Sequence, residues 1–124
     1  MHKLVWIGLA GALGTLARYG VATLAQRWFG GGFPWGTVCV NLGGCFLFGL
    51  VFALWHDRGA LDPDTARVLL VGFMGGFTTF SSYVNDLVGL AGAARWLPVS
   101  LNFLLQNVGG VVGCLAGMAL GRLE

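Results

Sequence analysis

Long apolar stretches dominate the chain and are separated by short polar segments. The first stretch runs from about residue 4 to 24 and contains one charged side chain, that of Arg18. The others cover about 35–55, 68–90 and 97–120. A helix needs about 20 mostly apolar residues to cross a bilayer. The pattern therefore predicts an all-α membrane protein with four transmembrane helices.

The third stretch is predicted to be a broken helix. Gly72, Gly75 and Gly76 precede a run of threonine, phenylalanine and serine over 78–82. Glycine and residues that carry hydroxyl groups are poor helix formers. We therefore expect the helix to be interrupted in the middle of this stretch.

The fourth stretch carries four glycines at intervals of four residues: Gly109, Gly113, Gly117 and Gly121. Residues at this spacing lie on one helix face, and small residues let two helices approach closely in lipid. We expect this face to pack against another helix.

Composition supports a membrane protein over a soluble one. Only 10% of the 124 residues are charged and 56% are hydrophobic, whereas a soluble domain is typically about 25% charged. Four spans leave no room for a second domain, so residues 1–124 are predicted to form a single transmembrane domain. The basic residues are scattered and the net charge is only +2, so we expect no nucleic-acid partner.

The distribution of basic residues gives only a weak preference for one orientation. Four spans would place both termini and the 56–67 connection on one side of the membrane. That side would hold Lys3, Arg58, Arg67 and Arg122, and the other would hold Arg27 and Arg95, with Arg18 just inside the membrane. Four charges against two or three is a small positive-inside bias. The hypothesis is that the protein inserts in both orientations and pairs as an antiparallel dimer.

Polar side chains inside the spans are mostly neutral hydrogen-bond donors. They are Arg18, Asn41, Thr78, Thr79, Ser81, Ser82, Asn102, Gln106 and Asn107. An anion pathway needs donors and a cationic group without buried acids, and this set fits. Each amide could instead form only an interhelical hydrogen bond. That interpretation is favoured for Asn107, whereas the two interpretations are evenly balanced for Asn102 and Gln106, which share a face.

Enzyme chemistry finds no support in the sequence. The two histidines lie near a terminus and in a connection, and the glycine-rich stretch 72–76 lacks the lysine of a nucleotide-binding P-loop. Cys39, Cys45 and Cys114 sit in apolar stretches without a CxxC pair. This favours buried small hydrophobic residues over a metal or disulfide site.

Three segments together resemble the small bacterial fluoride channels of the Fluc or CrcB family. They are GALGTLARY over 11–19, GTVCVNLGGCFLFG over 36–49 and GFMGGFTTFSSY over 72–83. Their order and the chain length match the family. The resemblance implies passive export of fluoride across the inner membrane through an antiparallel dual-topology homodimer with two pores. It also implies a structural sodium ion, not transported, held by the backbone carbonyls of Gly75 and Thr78 of both subunits.

The resemblance also assigns roles to pore residues. Asn41 would donate a hydrogen bond to fluoride, and Phe80 would present its ring edge. Thr79 and Ser81 would supply further donors near the helix break, and Arg18 would contribute to an electropositive approach.

Some positions depart from the family pattern. Tyr83 stands where the family has a second phenylalanine, and its hydroxyl group could form a hydrogen bond that shifts the ring. Asn102 and Gln106 stand where members often carry hydroxyl residues along the pore. Asp86 occupies a position that is often glutamate.

Two alternatives rank below a fluoride channel. A small dual-topology multidrug exporter fits the length and the weak charge bias, but the expected glutamate inside the membrane is missing. A membrane assembly factor without transport activity would use the glycine face of the fourth helix, but it would leave the donor-rich third segment unexplained.

Overall fold

The computed structural model describes residues 2–123, which form helices joined by short connections. The helices are α1 (His2–Phe29), α2 (Trp35–Asp57), α3 (63–77), α4 (Phe80–Gly92) and α5 (Trp96–Arg122). All extend beyond the predicted spans at one or both ends, since flanking residues continue each helix past its apolar core.

Within residues 2–123, three helices contain a wider π-helical turn. These turns are Ala53–Asp57 at the end of α2, Val68–Phe73 inside α3 and Leu105–Gly109 inside α5. Such turns are rare and occur often at functional sites, where they change the direction in which side chains point. The turn in α5 includes Gln106 and Asn107, two of the polar residues inside the predicted fourth span.

By length and hydropathy, α1, α2 and α5 could each cross a membrane. Their outward faces are apolar: Leu9, Leu13 and Leu16 on α1 are 52%, 61% and 67% exposed. Exposed leucines at this density suit contact with lipid rather than water. The protein is therefore a helical membrane protein.

The predicted third span is divided into α3 and α4, as the glycine and hydroxyl pattern indicates. Thr78 and Thr79 have extended backbone angles, with ψ of 157° and 112°, between the end of α3 at Phe77 and the start of α4 at Phe80. The two short helices together occupy the place of one long transmembrane helix.

Helices α2 and α5 run parallel and pack in a constant register. Side chains or backbone atoms of residues 65 positions apart meet along the whole contact, from Asn41 with Gln106 to Arg58 with Leu123. The predicted glycine face of α5 forms this contact. A Cβ atom on Gly117 would overlap the carbonyl oxygen of Phe46, so only glycine allows the observed approach.

Helices α1 and α3 pack closely through a second pair of glycine positions. A Cβ atom on Gly76 would overlap the carbonyl oxygen of Gly11, and one on Gly14 would overlap that of Phe73. These contacts hold the end of α3 against α1 immediately before the helix break.

Polar contacts connect the ends of the helices. At one end they join the N-terminus, the connection after α2 and the C-terminus: Lys3 with Asp64 at 2.8 Å, Arg122 with Asp57 at 2.7 Å, and Arg58 with the carbonyl oxygen of Leu123 at 2.6 Å. At the other end, Nη2 of Arg95 donates to the carbonyl oxygen of Gly32 at 2.7 Å. Residues 3 and 123 therefore lie at the same end of the bundle.

Candidate functional site

The side chain of Asn41 on α2 is hydrogen-bonded to the break between α3 and α4. Its Oδ1 accepts a hydrogen bond from the backbone N–H of Thr79 at 2.8 Å, and its Nδ2 donates to the carbonyl oxygen of Thr79 at 3.0 Å. This pair of bonds satisfies the extended backbone where helical partners are missing. Asn41 therefore joins α2 to the break.

A chain of amide side chains continues from Asn41 into α5. Nδ2 of Asn41 also donates to Oε1 of Gln106 at 2.6 Å, and Nε2 of Gln106 donates to Oδ1 of Asn102 at 2.8 Å. Asn102 is completely buried, and its Nδ2 has no hydrogen-bond partner in residues 2–123. A buried donor without a partner is costly, so the chain of amides ends in an unusual group.

A cavity of about 470 Å³ brings together most of the predicted pore and sodium residues. Its walls include Asn41, Gly75, Thr78, Thr79, Phe80, Tyr83 and Gln106. Ser81 and Asn102 do not line it, but each is hydrogen-bonded to a residue that does. Among the described residues, those that line this cavity include no carboxylate. Neutral donors and aromatic rings therefore determine its polarity.

Two aromatic rings at the start of α4 face this cavity. The centroids of Phe80 and Tyr83 are 5.7 Å apart with the ring planes inclined by 58°. Phe80 is 75% exposed, whereas Tyr83 is only 6% exposed. The hydroxyl of Tyr83 accepts a hydrogen bond from Nδ2 of Asn107 at 2.7 Å. Asn107 thus forms an interhelical bond, the favoured interpretation from sequence, but with a residue of the cavity wall.

Thr79 caps the N-terminus of α4 with its side chain. Its Oγ1 accepts a hydrogen bond from the backbone N–H of Ser82 at 3.2 Å and donates one to Oγ of Ser82 at 3.0 Å. Oγ of Ser81 lies 3.3 Å from the same oxygen. The N-terminus of a helix carries partial positive charge, so α4 adds a favourable field for an anion beside these hydroxyl groups.

The break also removes the usual donors from two backbone carbonyls. In a continuous helix, Thr79 and Ser82 would donate to Gly75 and Thr78. Here the N–H of Thr79 donates to Asn41 and that of Ser82 to the side chain of Thr79. The carbonyl oxygens of Gly75 and Thr78 therefore lose these bonds, and oxygen donors of this kind suit a hard cation.

Arg18 lies outside this cavity. It lines a neighbouring cavity of about 320 Å³ together with Thr15, Thr37 and Ser82. Thr79 borders both cavities. The structure thus places Arg18 beside the chain of amide side chains, with Thr79 between them.

Asp86 lies farther along α4 and lines a third cavity, of about 780 Å³, with Arg27 and Arg95. Its Oδ2 is buried and has no hydrogen-bond partner in residues 2–123. Asp86 is therefore separate from the cavity that holds Asn41, at the end of the bundle where Arg95 contacts Gly32.

Comparison with known proteins places the chain in a family. Residues 5–118 match a family model described as CrcB-like protein, Camphor Resistance. The chain belongs to the CrcB family. The match covers all five helices in whole or in large part, so the resemblance seen in three sequence segments extends to almost the entire chain.

Several similar proteins align with this CrcB chain over nearly their full length. A protein of Desulforapulum autotrophicum is 45% identical, and the alignment covers 98% of both chains. One of Solidesulfovibrio magneticus is 47% identical over 99% of this chain and 98% of its own. One of Nitratidesulfovibrio vulgaris is 47% identical over 99% of both. Each of the three is named fluoride-specific ion channel FluC.

The structure also adds residues that the sequence did not indicate. Cys45, Phe48 and Cys114 line the same cavity as Asn41. A sequence shows which residues share a face of one helix, but it does not show which faces of α2 and α5 meet. The position of Cys45 four residues after Asn41, on the same face, is the one signal that could have placed it here.

Proposed function

We propose that this CrcB protein is a fluoride-selective channel of the inner membrane that lets fluoride leave the cytoplasm down its gradient. The observation that carries the proposal is the cavity lined by hydrogen-bond donors and aromatic rings, in a chain whose near full-length relatives are named fluoride-specific ion channels. The protein catalyses no reaction in this proposal.

The amide of Asn41 is the central donor for the anion. Its Nδ2 donates to Oε1 of Gln106 and to the carbonyl oxygen of Thr79, so two acceptors already occupy positions that fluoride could take. The Gln106 side chain is long and can turn away when the anion arrives. A hydrogen bond to an ion is about twice as strong as a neutral one, which favours this exchange.

The rings of Phe80 and Tyr83 complete the coordination without a full positive charge. An aromatic ring has a positive edge, which attracts fluoride weakly enough to let it leave, as conduction requires. Arg18 in the neighbouring cavity raises the local anion concentration. Thr79 and Ser81 at the start of α4, and Asn102 beyond Gln106, offer further donors along the path.

Proton-coupled export of organic cations is the less well supported of the two candidate functions. Such a mechanism needs a titrating carboxylate in the transport cavity, and the described residues that line the cavity around Asn41 include none.

Fluoride efflux from liposomes tests the proposal. Purified protein is reconstituted into vesicles loaded with potassium fluoride, and release is followed with a fluoride electrode. Vesicles loaded with chloride and vesicles without protein are the controls. Rapid fluoride release without chloride release is expected. No fluoride release from vesicles that hold folded protein, or equal release of both halides, would overturn the proposal.

We also propose that the working unit is an antiparallel homodimer made from chains in both orientations. Phe80 is 75% exposed and Gly75 has open space where a Cβ atom would be, so one face of the break is uncovered in a single chain. A second copy would cover it. H2C in a background where Cys39, Cys45 and Cys114 are alanine gives one thiol to label. A membrane-impermeant reagent should modify about half of the chains from each side of the membrane, whereas modification from one side only would contradict dual topology.

A sodium ion at the centre of that dimer is the last part of the proposal. The carbonyl oxygens of Gly75 and Thr78 lack their helical donors, and a second copy would supply two more oxygen atoms. Replacing sodium by N-methylglucamine should weaken the dimer in detergent. Returning sodium should restore it. A dimer that is indifferent to this exchange would remove sodium from the proposal and leave fluoride conduction untouched.

A further inference from the structure

Two thiols lie in the wall of the cavity that holds Asn41. Cys45 on α2 and Cys114 on α5 both line it. Both are free cysteines and only partly buried. Their positions in apolar sequence favour a simple packing role, but folding brings them to one cavity from two facing helices.

The register between α2 and α5 determines how the two thiols face each other. Cys45 stands opposite Gly110, where a Cβ atom would lie 3.4 Å from its sulfur atom. Cys114 stands opposite Gly49, where a Cβ atom would overlap the carbonyl oxygen of Cys114. Each cysteine therefore faces a residue that has no side chain. Since Cys114 lies four residues beyond Gly110, the two cysteines are offset by about 6 Å along the helix axis.

We propose that Cys45 and Cys114 together bind one soft metal ion, of the class of Cu⁺, Ag⁺ or Hg²⁺, and that the bound ion blocks this cavity. Thiolates are the ligands that soft metals select. For the divalent ion, both S–H bonds break, two metal–sulfur bonds form and two protons are released to solvent. The oxidation states of sulfur and metal do not change.

Two-coordinate binding places the two sulfur atoms on opposite sides of the metal ion. A metal–thiolate bond is about 2.3 Å for zinc, so two opposed bonds of that length span about 4.6 Å. Both cysteines border the same cavity, so rotation of each side chain about its Cα–Cβ bond can turn the two sulfur atoms toward one ion. Cys39 lies six positions before Cys45 on a different face of α2 and is not among the residues that line this cavity.

Metal retention tests the site without reference to conduction. The purified protein in detergent is given one equivalent of Hg²⁺, washed with a monothiol competitor and weighed by native mass spectrometry. The wild type should keep one mercury, with a mass gain that is lower by two protons. C45A and C114A should each keep it about a hundredfold less well, because linking two ligands in one chain raises avidity by 10²–10⁴.

The control is C39A, which removes a thiol from the same helix and should retain mercury like the wild type. Circular dichroism checks that all three variants remain helical. Equal retention by C45A, C114A and the wild type would overturn the proposal, as would loss of retention in C39A alone.

Block of the cavity is a separate measurement that rests on the proposed fluoride conduction. Hg²⁺ should reduce fluoride efflux from wild-type and C39A vesicles at least tenfold and leave C45A and C114A vesicles unaffected. Retained metal with undiminished efflux would overturn the blocking step and keep the binding site. Vesicles that release no fluoride before the addition of metal would contradict the proposed function, while the mass measurement would still decide the metal site.

Discussion

The hydroxyl oxygen of Tyr83 accepts a hydrogen bond from Nδ2 of Asn107, and the two atoms are 2.7 Å apart. The bond joins α4 to the wide turn of α5. It fixes the ring of Tyr83 at a position where the sequence resemblance leads us to expect phenylalanine. Asn107 also donates to the carbonyl oxygen of Phe103 at 2.8 Å, which holds its amide in place. The two residues that form this interhelical hydrogen bond also line the cavity.

Replacing this tyrosine separates the two roles. Y83F keeps the ring and removes the hydroxyl group, and we expect it to lower the free energy of unfolding by about 1 kcal/mol, the net worth of a typical hydrogen bond. Fluoride efflux should remain, since the ring edge is preserved. Thermal unfolding in detergent and vesicle efflux measure the two quantities. Loss of efflux with unchanged stability would show that the hydroxyl group itself binds the ion.

The donor role of Asn41 can be tested by an isosteric change. N41D removes the Nδ2 donors that reach Thr79 and Gln106 and places a negative charge beside the path. Fluoride efflux should fall at least tenfold, which corresponds to about 1.4 kcal/mol. N85D makes the same change on an exposed residue outside this cavity and should conduct. Normal efflux through N41D vesicles would contradict the assignment.

The ring of Phe80 should matter for conduction and not for folding. Since Phe80 is 75% exposed in a single chain, F80I removes the aromatic edge without opening a cavity in the core. Efflux should fall while the elution position in gel filtration stays unchanged. F103I changes a half-exposed phenylalanine on α5 and serves as the control. Equal efflux from the two variants would remove Phe80 from the pore.

Close contact between α2 and α5 predicts a sharp difference between two glycines. In G117A the new Cβ atom overlaps the carbonyl oxygen of Phe46, and overpacking of this kind costs about 1–3 kcal/mol. G20A on α1 meets nothing within 4 Å and should be neutral or stabilising, since alanine favours helix formation. Thermal unfolding of both variants measures the difference. Similar melting temperatures would contradict the contact.

The start of α3 should be sensitive to acid. Hydrogen bonds from the side chain and then the backbone N–H of Thr65 hold the pKa of Asp62 below its ordinary value of 3.8. The folded pKa is therefore lower than the unfolded one, so this stabilisation is complete above about pH 4 and is lost as the pH falls through the folded pKa. D62N keeps a capping oxygen without the titration. Below about pH 4 the melting temperature of D62N should fall less than that of the wild type. Parallel curves of melting temperature against pH would contradict this.

The arrangement of helices was largely predictable from the sequence, because apolar length and the glycine and hydroxyl pattern are local signals. The break at Thr78 and Thr79 follows from poor helix formers in succession. The separation of Arg18 from Asn41 was not predictable, because it depends on the rotation of α1 against α2. The hydrogen-bonded chain of amides from Asn41 through Gln106 to Asn102 was not predictable either, because it depends on the register between α2 and α5. No single segment of the sequence encodes that register.

The constant offset of 65 residues between α2 and α5 limits how such a gene can change in length. One codon added inside α2, between Asn41 and Asp57, would leave the pair of Asn41 and Gln106 matched. It would shift every later pair by about 100° around the helix axis. The glycines would then meet side chains, and Asp57 would lose Arg122. Codons added between the helices, in 59–61 or 93–94, would change the count of 65 but leave the glycine contacts and the pair Asp57 and Arg122 in place. Insertions and deletions that survive selection should therefore accumulate in those two short connections.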